Sequence, residues 1–272
     1  MTEIIKVELF RLKKSALFWI MLGVCAAMPL INLLITAIMY TVLGILNDIP
    51  VDVFGLLCQQ ATAGLLQQMS NVPNDMVLLT IISTAVILSK EFVDGTMRNV
   101  VLANKTRTEL FFAYFITSMI VAVTYLIAFL TVTLVIVAPI FGFNGEPASK
   151  VVSAVFCSLA LGILAMAFIE SVVCMFTFCV RKQWAAVLFP ILIWYGTAVL
   201  INIINMSTGA ILGATQATTL NFEKWIPFYN MQLYDPMNID GIIVGMNILY
   251  LALFIAGFTC LGLFTFKKAD LK

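Results

Sequence analysis

A polytopic, all-α membrane protein is the fold class this sequence predicts, and three observations predict it. Of its 272 residues, 62% are apolar and 11% charged, against roughly 45–50% and about 25% in a soluble domain. A soluble chain of this length needs a polar skin, and too few polar residues are present to build one. The apolar residues come in runs long enough to cross a bilayer, for which about 20 residues rising 1.5 Å each suffice. Basic residues, finally, crowd the segments on one side of those runs.

The runs lie at 16–46, 76–89, 110–141, 151–180, 185–206 and 241–266. They predict six transmembrane helices forming a single transmembrane domain over 1–272. Breakers and charges separate them. Asn47-Asp48-Ile49-Pro50 ends the first run, and Asn71-Val72-Pro73-Asn74-Asp75 precedes the second. Asn144-Gly145-Glu146-Pro147 turns the chain between the third and fourth, and Arg181-Lys182-Gln183-Trp184 between the fourth and fifth. The first run is far longer than the apolar region of a signal peptide.

Orientation follows from the basic residues. With the N-terminus in the cytoplasm, the inner segments hold Lys6, Arg11, Lys13, Lys14, Lys90, Arg98, Lys105, Arg107, Arg181, Lys182, Lys267, Lys268 and Lys272. That is thirteen of the fifteen lysines and arginines, and only Lys150 and Lys224 fall outside. Both termini are then cytoplasmic and the number of crossings is even. Parity rules against residues 51–69 as a seventh span. With Asp52, Gln59, Gln60, Gln67 and Gln68, that stretch reads as an outer-surface or re-entrant helix.

The loop at 207–240, between the fifth and sixth spans, carries the short apolar patch 209–214. An aromatic group follows, Trp225, Phe228, Tyr229 and Tyr234. Such rings favour the headgroup region. The expectation is a re-entrant hairpin or an interfacial lid at the outer face, a plain anchoring loop being the alternative.

Composition also removes whole classes of chemistry. Histidine is absent, which excludes His-based zinc sites, Ser–His and Cys–His pairs and imidazole-bound haem. Of the six cysteines, at 25, 58, 157, 174, 179 and 260, all but Cys58 sit inside apolar runs, and none forms a C-x-x-C pair. They read as small packed hydrophobes. No catalytic or metal-ligating set is predicted, and no cofactor on this chain.

Two cytoplasmic segments carry more information. In residues 3–15, Ile5, Leu9 and Leu12 recur at helical spacing towards Ala16, while Lys6, Arg11, Lys13 and Lys14 occupy other faces. This pattern predicts a helix lying in the inner interface, or else a simple basic tail. The second segment is the loop between the second and third spans. Gly95 suits a turn out of the second span. Met97, Val100 and Val101 then give a short amphipathic helix, and Thr106-x-x-Glu109 has capping-box spacing for the start of the third span.

This loop resembles that of a known family. Lys90-Glu91-Phe92-x-x-Gly95-Thr96-x-Arg98-Asn99, followed by Thr106-Arg107, is similar to the inner loop of type-2 ATP-binding-cassette (ABC) transporter permeases, which often reads E-F-x-x-G-T-x-R. The layout of basic first helix, six spans, elaborated last outer loop and short basic tail agrees. One departure is visible: family members often carry a lysine a few residues into the third span, where this chain has Ala113-Tyr114.

The resemblance implies a coupling helix seated in a cytoplasmic ABC ATPase subunit, through Glu91, Phe92, Gly95, Thr96, Arg98 and Arg107. It implies ATP and magnesium on that partner, a second permease copy or a related one, and a bacterial cell membrane. No nucleic acid is expected. The chain itself is predicted not to be an enzyme, because no G-x-x-x-x-G-K-[ST] occurs in it. The expected function is export of an amphiphilic substrate such as a peptide or antibiotic. The alternatives are an ATP-independent channel or secondary transporter, and a membrane adaptor that anchors an ATPase.

Inside the spans, Glu170 is the acidic residue furthest from either end. It precedes Arg181 by eleven residues, about 16 Å along a helix, so it must be neutral, paired or facing a cavity. Glu170 and Asn32 are the intramembrane polar candidates. A substrate or proton role for the carboxyl stands against a neutral, hydrogen-bonded helix contact. Pro29 and Pro190 predict kinks. Gly241-x-x-x-Gly245 matches a helix-packing motif.

Overall fold

The computed structural model describes residues 2–46, 76–90, 92–95, 106–137, 148–212 and 241–268, and among them the regular structure is helical throughout. Helix α1 spans Thr2–Lys14 and α2 Ala16–Leu46. Helix α3 is Met76–Lys90. Helix α4, Arg107–Val132, ends in a π-helical turn, Thr133–Val137. Helices α5, α6 and α7 are Ala148–Val180, Gln183–Leu212 and Gly241–Lys268. Each predicted apolar run is therefore helical over its described residues.

Three stretches, Arg107–Ile136, Leu159–Val180 and Ile248–Lys268, are long and apolar enough to cross a membrane, and the bent pair Ile4–Lys14 with Ala16–Asn32 makes a fourth if taken as one. The outward surface is apolar along its length, with Ile20, Leu34 and Ile38 on α2, Leu192, Val199 and Leu200 on α6, and Leu249, Leu253 and Phe264 on α7. An apolar skin this extensive, on helices long enough to cross a bilayer, suits lipid. The fold is that of a helical membrane protein.

Two expectations change. The fifth run continues to Leu212, so Gly209-Ala210-Ile211-Leu212 belongs to α6 and does not begin a hairpin. No proline or charge lies between Ile201 and Leu212 to stop the helix. The rest of that loop and residues 51–69 lie outside the described residues. Helix α1 is present, but its buried face is Ile4, Glu8 and Leu12, whereas Leu9 is exposed. Glu8 can occupy that face because Arg11 pairs with it at 3.1 Å. A paired carboxylate tolerates burial that a lone one does not.

Helices α1 and α2 meet at 70° around Ser15. The indole Nε1–H of Trp19 donates to the Lys13 carbonyl at 3.0 Å, satisfying an acceptor at the end of α1 that has no intrahelical partner. Helix α2 runs through Pro29, and α6 through Pro190, without interruption.

Helix α5 lies centrally, packed against α4, α6 and α7, while α4 holds α1 and α2. Helix α3 is buried nearly all round, with Met76, Ile81 and Ala85 at or near zero exposure beside the hydroxyl residues Thr80, Ser83, Thr84 and Ser89. Those hydroxyls donate to backbone carbonyls three or four residues earlier, as Thr80 does to Met76 O at 2.9 Å. A polar side chain in an apolar interior needs such a partner.

A glycine permits the closest approach of α7. A Cβ on Gly262 would lie 3.0 Å from the Phe111 ring and 3.2 Å from the Met175 Cα. Gly245 of the predicted motif has no described neighbour within 4 Å. Gly262→Val should lower the thermal unfolding midpoint of the purified chain, with an overpacking cost of about 1–3 kcal/mol. Gly257→Val, five residues earlier where a Cβ meets nothing within 4 Å, should leave the midpoint near wild type. Equal midpoints for the two variants would contradict the close contact.

Candidate functional site

Two places bring the chemistry-bearing residues together. The first is at the helix ends that carry the basic residues. After Lys90 the chain makes one more turn, with Asp94 N–H donating to Lys90 O at 2.8 Å, and Gly95 adopts φ +69°. This left-handed conformation, open to glycine at little cost, ends the helix where the sequence places the turn. On the far side of the loop, Thr106 caps α4: its Oγ1 accepts from Glu109 N–H at 3.3 Å. The predicted capping bond is present.

Between these two points the helix ends are held by an aromatic cluster. Its hub is Phe178, near the end of α5 and 1% exposed. The Phe178 ring lies 5.4 Å from Phe92, 5.1 Å from Phe111, 6.0 Å from Tyr114 and 4.7 Å from Phe266. Four chain segments thus meet on one side chain: the exit of α3, the start of α4, α5, and the end of α7. Ala113 and Tyr114, which stand where the resembled family carries lysine, are both buried. Tyr114 belongs to the cluster.

Arg107 adds a polar clamp. Its Nη1 donates to Phe266 O at 3.1 Å and to Lys267 O at 2.8 Å. These carbonyls end α7, where a cation both fills empty acceptors and meets the negative end of the helix dipole. Arg107, predicted to serve coupling, therefore ties α4 to α7 within the chain. Of the other residues in that set, Phe92 anchors the loop and Gly95 turns it. Glu91, Thr96 and Arg98 lie outside the described residues.

The turn between α5 and α6 has a related device. Arg181 adopts φ +56°, and its N–H donates to Thr177 O at 3.1 Å. This is a left-handed helix cap built without glycine.

The second place lies mid-way along α5. Glu170 is fully buried, and neither carboxyl oxygen has a hydrogen bond. Ser118 on α4 and Thr84 on α3 stand beside it as its nearest hydrogen-bonding groups. Both hydroxyls also have backbone partners, Thr84 Oγ1 donating to Thr80 O at 2.6 Å and Ser118 Oγ to Phe115 O at 2.9 Å. Cys174, one turn along α5, reaches Ser118 Oγ at 3.7 Å. Tyr125 on α4 faces both Glu170 and Ser83. Its ring stacks on Phe18 at 5.7 Å and its hydroxyl lies 3.4 Å from Phe18 O, which brings α2 into the group.

Asn32 is half-buried on α2 and not among the groups acting on Glu170, so these two predicted residues do not share a site. Ser83, Thr84, Ser118, Tyr125 and Cys174 were not foreseen. Their signal was present in the sequence: Thr80, Ser83 and Thr84 at i, i+3, i+4, and Ser118 and Tyr125 at i, i+7, each place hydroxyls on one helix face.

No curated protein and no solved structure matches the chain. Residues 58–272, which include α3 to α7, the aromatic cluster and Glu170, match the model of a family described as "Protein of unknown function (DUF2705)", and the chain belongs to that family.

Proposed function

We propose that the chain is the membrane-spanning permease subunit of an ABC-type transporter, crossing the membrane six times and driven by an ATPase on a separate polypeptide. One observation carries the reading most directly. The loop that resembles a coupling helix is tied at both ends into helix termini, through Phe92 under Phe178 and through Arg107 on the end of α7. A push on that loop would move α3, α4, α5 and α7 together, which a flexible connector could not transmit. The basic bias places the loop in the cytoplasm, where an ATPase could reach it.

Helix α1 fits this arrangement as an inner-interface helix. Its outward face mixes Val7 and Phe10 with Lys6, Lys13 and Lys14, and the Lys14 ammonium lies 4.4 Å from the Phe10 ring centroid. Apolar rings beside lysines suit a boundary between acyl chains and anionic headgroups. The cargo on this reading is amphiphilic, a peptide or antibiotic, moved outward by a pair of permeases in a bacterial cell membrane.

A second reading, an ATP-independent channel or secondary transporter, draws support from Glu170, since buried ionisable groups in membrane helices commonly line ion or proton paths. Gentle solubilisation from the native membrane followed by affinity capture separates the two. A soluble ATPase recovered in equal amount with the chain is the expected result. A stable oligomer without any ATPase would overturn the permease reading in favour of the second.

A further inference from the structure

The hydroxyl groups around Glu170 are already engaged with backbone carbonyls. The hydroxyl protons of Thr84, Ser118 and Ser83 are directed at the Thr80, Phe115 and Thr80 carbonyls. Tyr125 is directed at Phe18 O. With the Ser118 proton on Phe115 O, the Cys174 thiol is the donor in its contact with Ser118. Every one of these hydroxyl oxygens still has a lone pair to give.

A carboxylate only accepts hydrogen bonds, whereas a carboxylic acid has one O–H to donate. The free lone pairs of the Thr84 and Ser118 oxygens match the acid. Counter-charge points the same way. The groups acting on Glu170 are Ser118 and Thr84, with Tyr125 and Cys174 beside it and Cys25 of α2 beside Tyr125. The titratable ones are a phenol and two thiols, which are neutral or become negative, so none offers a positive charge. The nearest basic residues along the packed helices are Lys90, six residues from Thr84 on α3, Arg107, eleven from Ser118 on α4, and Arg181, eleven from Glu170 itself. These separations amount to about 9 Å, 16 Å and 16 Å. No metal-holding group of three His, Cys, Asp or Glu occurs among the described residues.

We propose that Glu170 is a proton-binding site of the membrane domain. The carboxyl is held as the neutral acid while α3, α4 and α5 are closed around it, with its proton available to the Thr84 or Ser118 oxygen. When α3 parts from α5 and water enters, the O–H bond breaks, its electron pair stays on the carboxylate, and the proton passes to water. The closed arrangement therefore binds one more proton than the opened one. This inference rests on the packing of α3, α4 and α5 and is independent of whether an ATPase drives the chain.

The test is an isotope-edited infrared spectrum of the full chain in lipid nanodiscs at neutral pH, with glutamate labelled by carbon-13 at the side-chain carboxyl. The expected result is a label-sensitive carboxylic-acid C=O band in the wild type, lost in Glu170→Gln and unchanged when potassium is replaced by sodium. Absence of that band from the wild type would overturn the proposal, as would its disappearance on adding sodium, which would make the site one for a monovalent cation. Should Glu170→Gln fail to fold, the wild-type spectrum decides alone. Glu8, the other buried glutamate in the described residues, is paired with Arg11 at 3.1 Å.

Discussion

Phe178→Ala should destabilise the chain by about 3–5 kcal/mol, the usual cost of emptying a buried phenylalanine site. Four rings, Phe92, Phe111, Tyr114 and Phe266, rest on the Phe178 ring at 4.7–6.0 Å. None can refill the space without leaving its own helix. Each aromatic pair adds about 0.5–1.5 kcal/mol beyond burial. A large drop in the thermal unfolding midpoint of purified protein is the expected reading, with Phe178→Leu recovering part of it. Phe156→Ala serves as the control, since that ring on the same helix is 68% exposed. If the Phe178 and Phe156 variants melt alike, the cluster does not hold the helix ends together.

Charge reversal in the inner loop should have the largest effect on activity. On the permease reading, Glu91→Lys or Arg98→Glu removes a charge partner at the contact with the ATPase and sets like charges opposed. Truncating one member of a hydrogen-bonded interfacial charge pair costs about 2–5 kcal/mol, more than tenfold in association. Membrane insertion should be unaffected, because both residues lie outside the apolar runs. Transport-coupled ATP hydrolysis by the reconstituted complex should fall at least about tenfold in either variant, with the chain present at wild-type level in the membrane. Full coupled activity in both variants would remove the coupling assignment. The Phe178 result would be unaffected, since it depends on packing within the chain alone.

The inner loop illustrates how residues of one motif divide between local and distant roles. Gly95 and Thr106 were legible because a left-handed turn and a helix cap are properties of a few neighbouring residues. Arg107 stands beside them in sequence, yet its partners are Phe266 O and Lys267 O, some 160 residues away. No local rule reports a contact of that kind. Helix α1 makes the same point in reverse. Its helical period was readable, but the face chosen for burial includes Glu8, because a partner three residues on neutralises the carboxylate.

The sequence by itself determined the solvent and the existence of the helices, and most of their ends to within a few residues. Lipid demands that backbone groups be satisfied within the segment, so an apolar run of sufficient length has little choice but helix. Prolines, charges and turn residues then mark where each helix stops. Only the tertiary structure decided which faces meet. In a soluble protein the apolar stripe of a helix points inward, but in lipid the outside is as apolar as the core, and periodicity loses its sense of direction. Helix α3 is apolar by composition and buried on nearly every face, while α7 is also apolar and largely exposed. For the same reason Glu170 could be identified from its residue type and depth, whereas the ring of hydroxyls that faces it, from α3 and α4, came into view only when three helices were brought together.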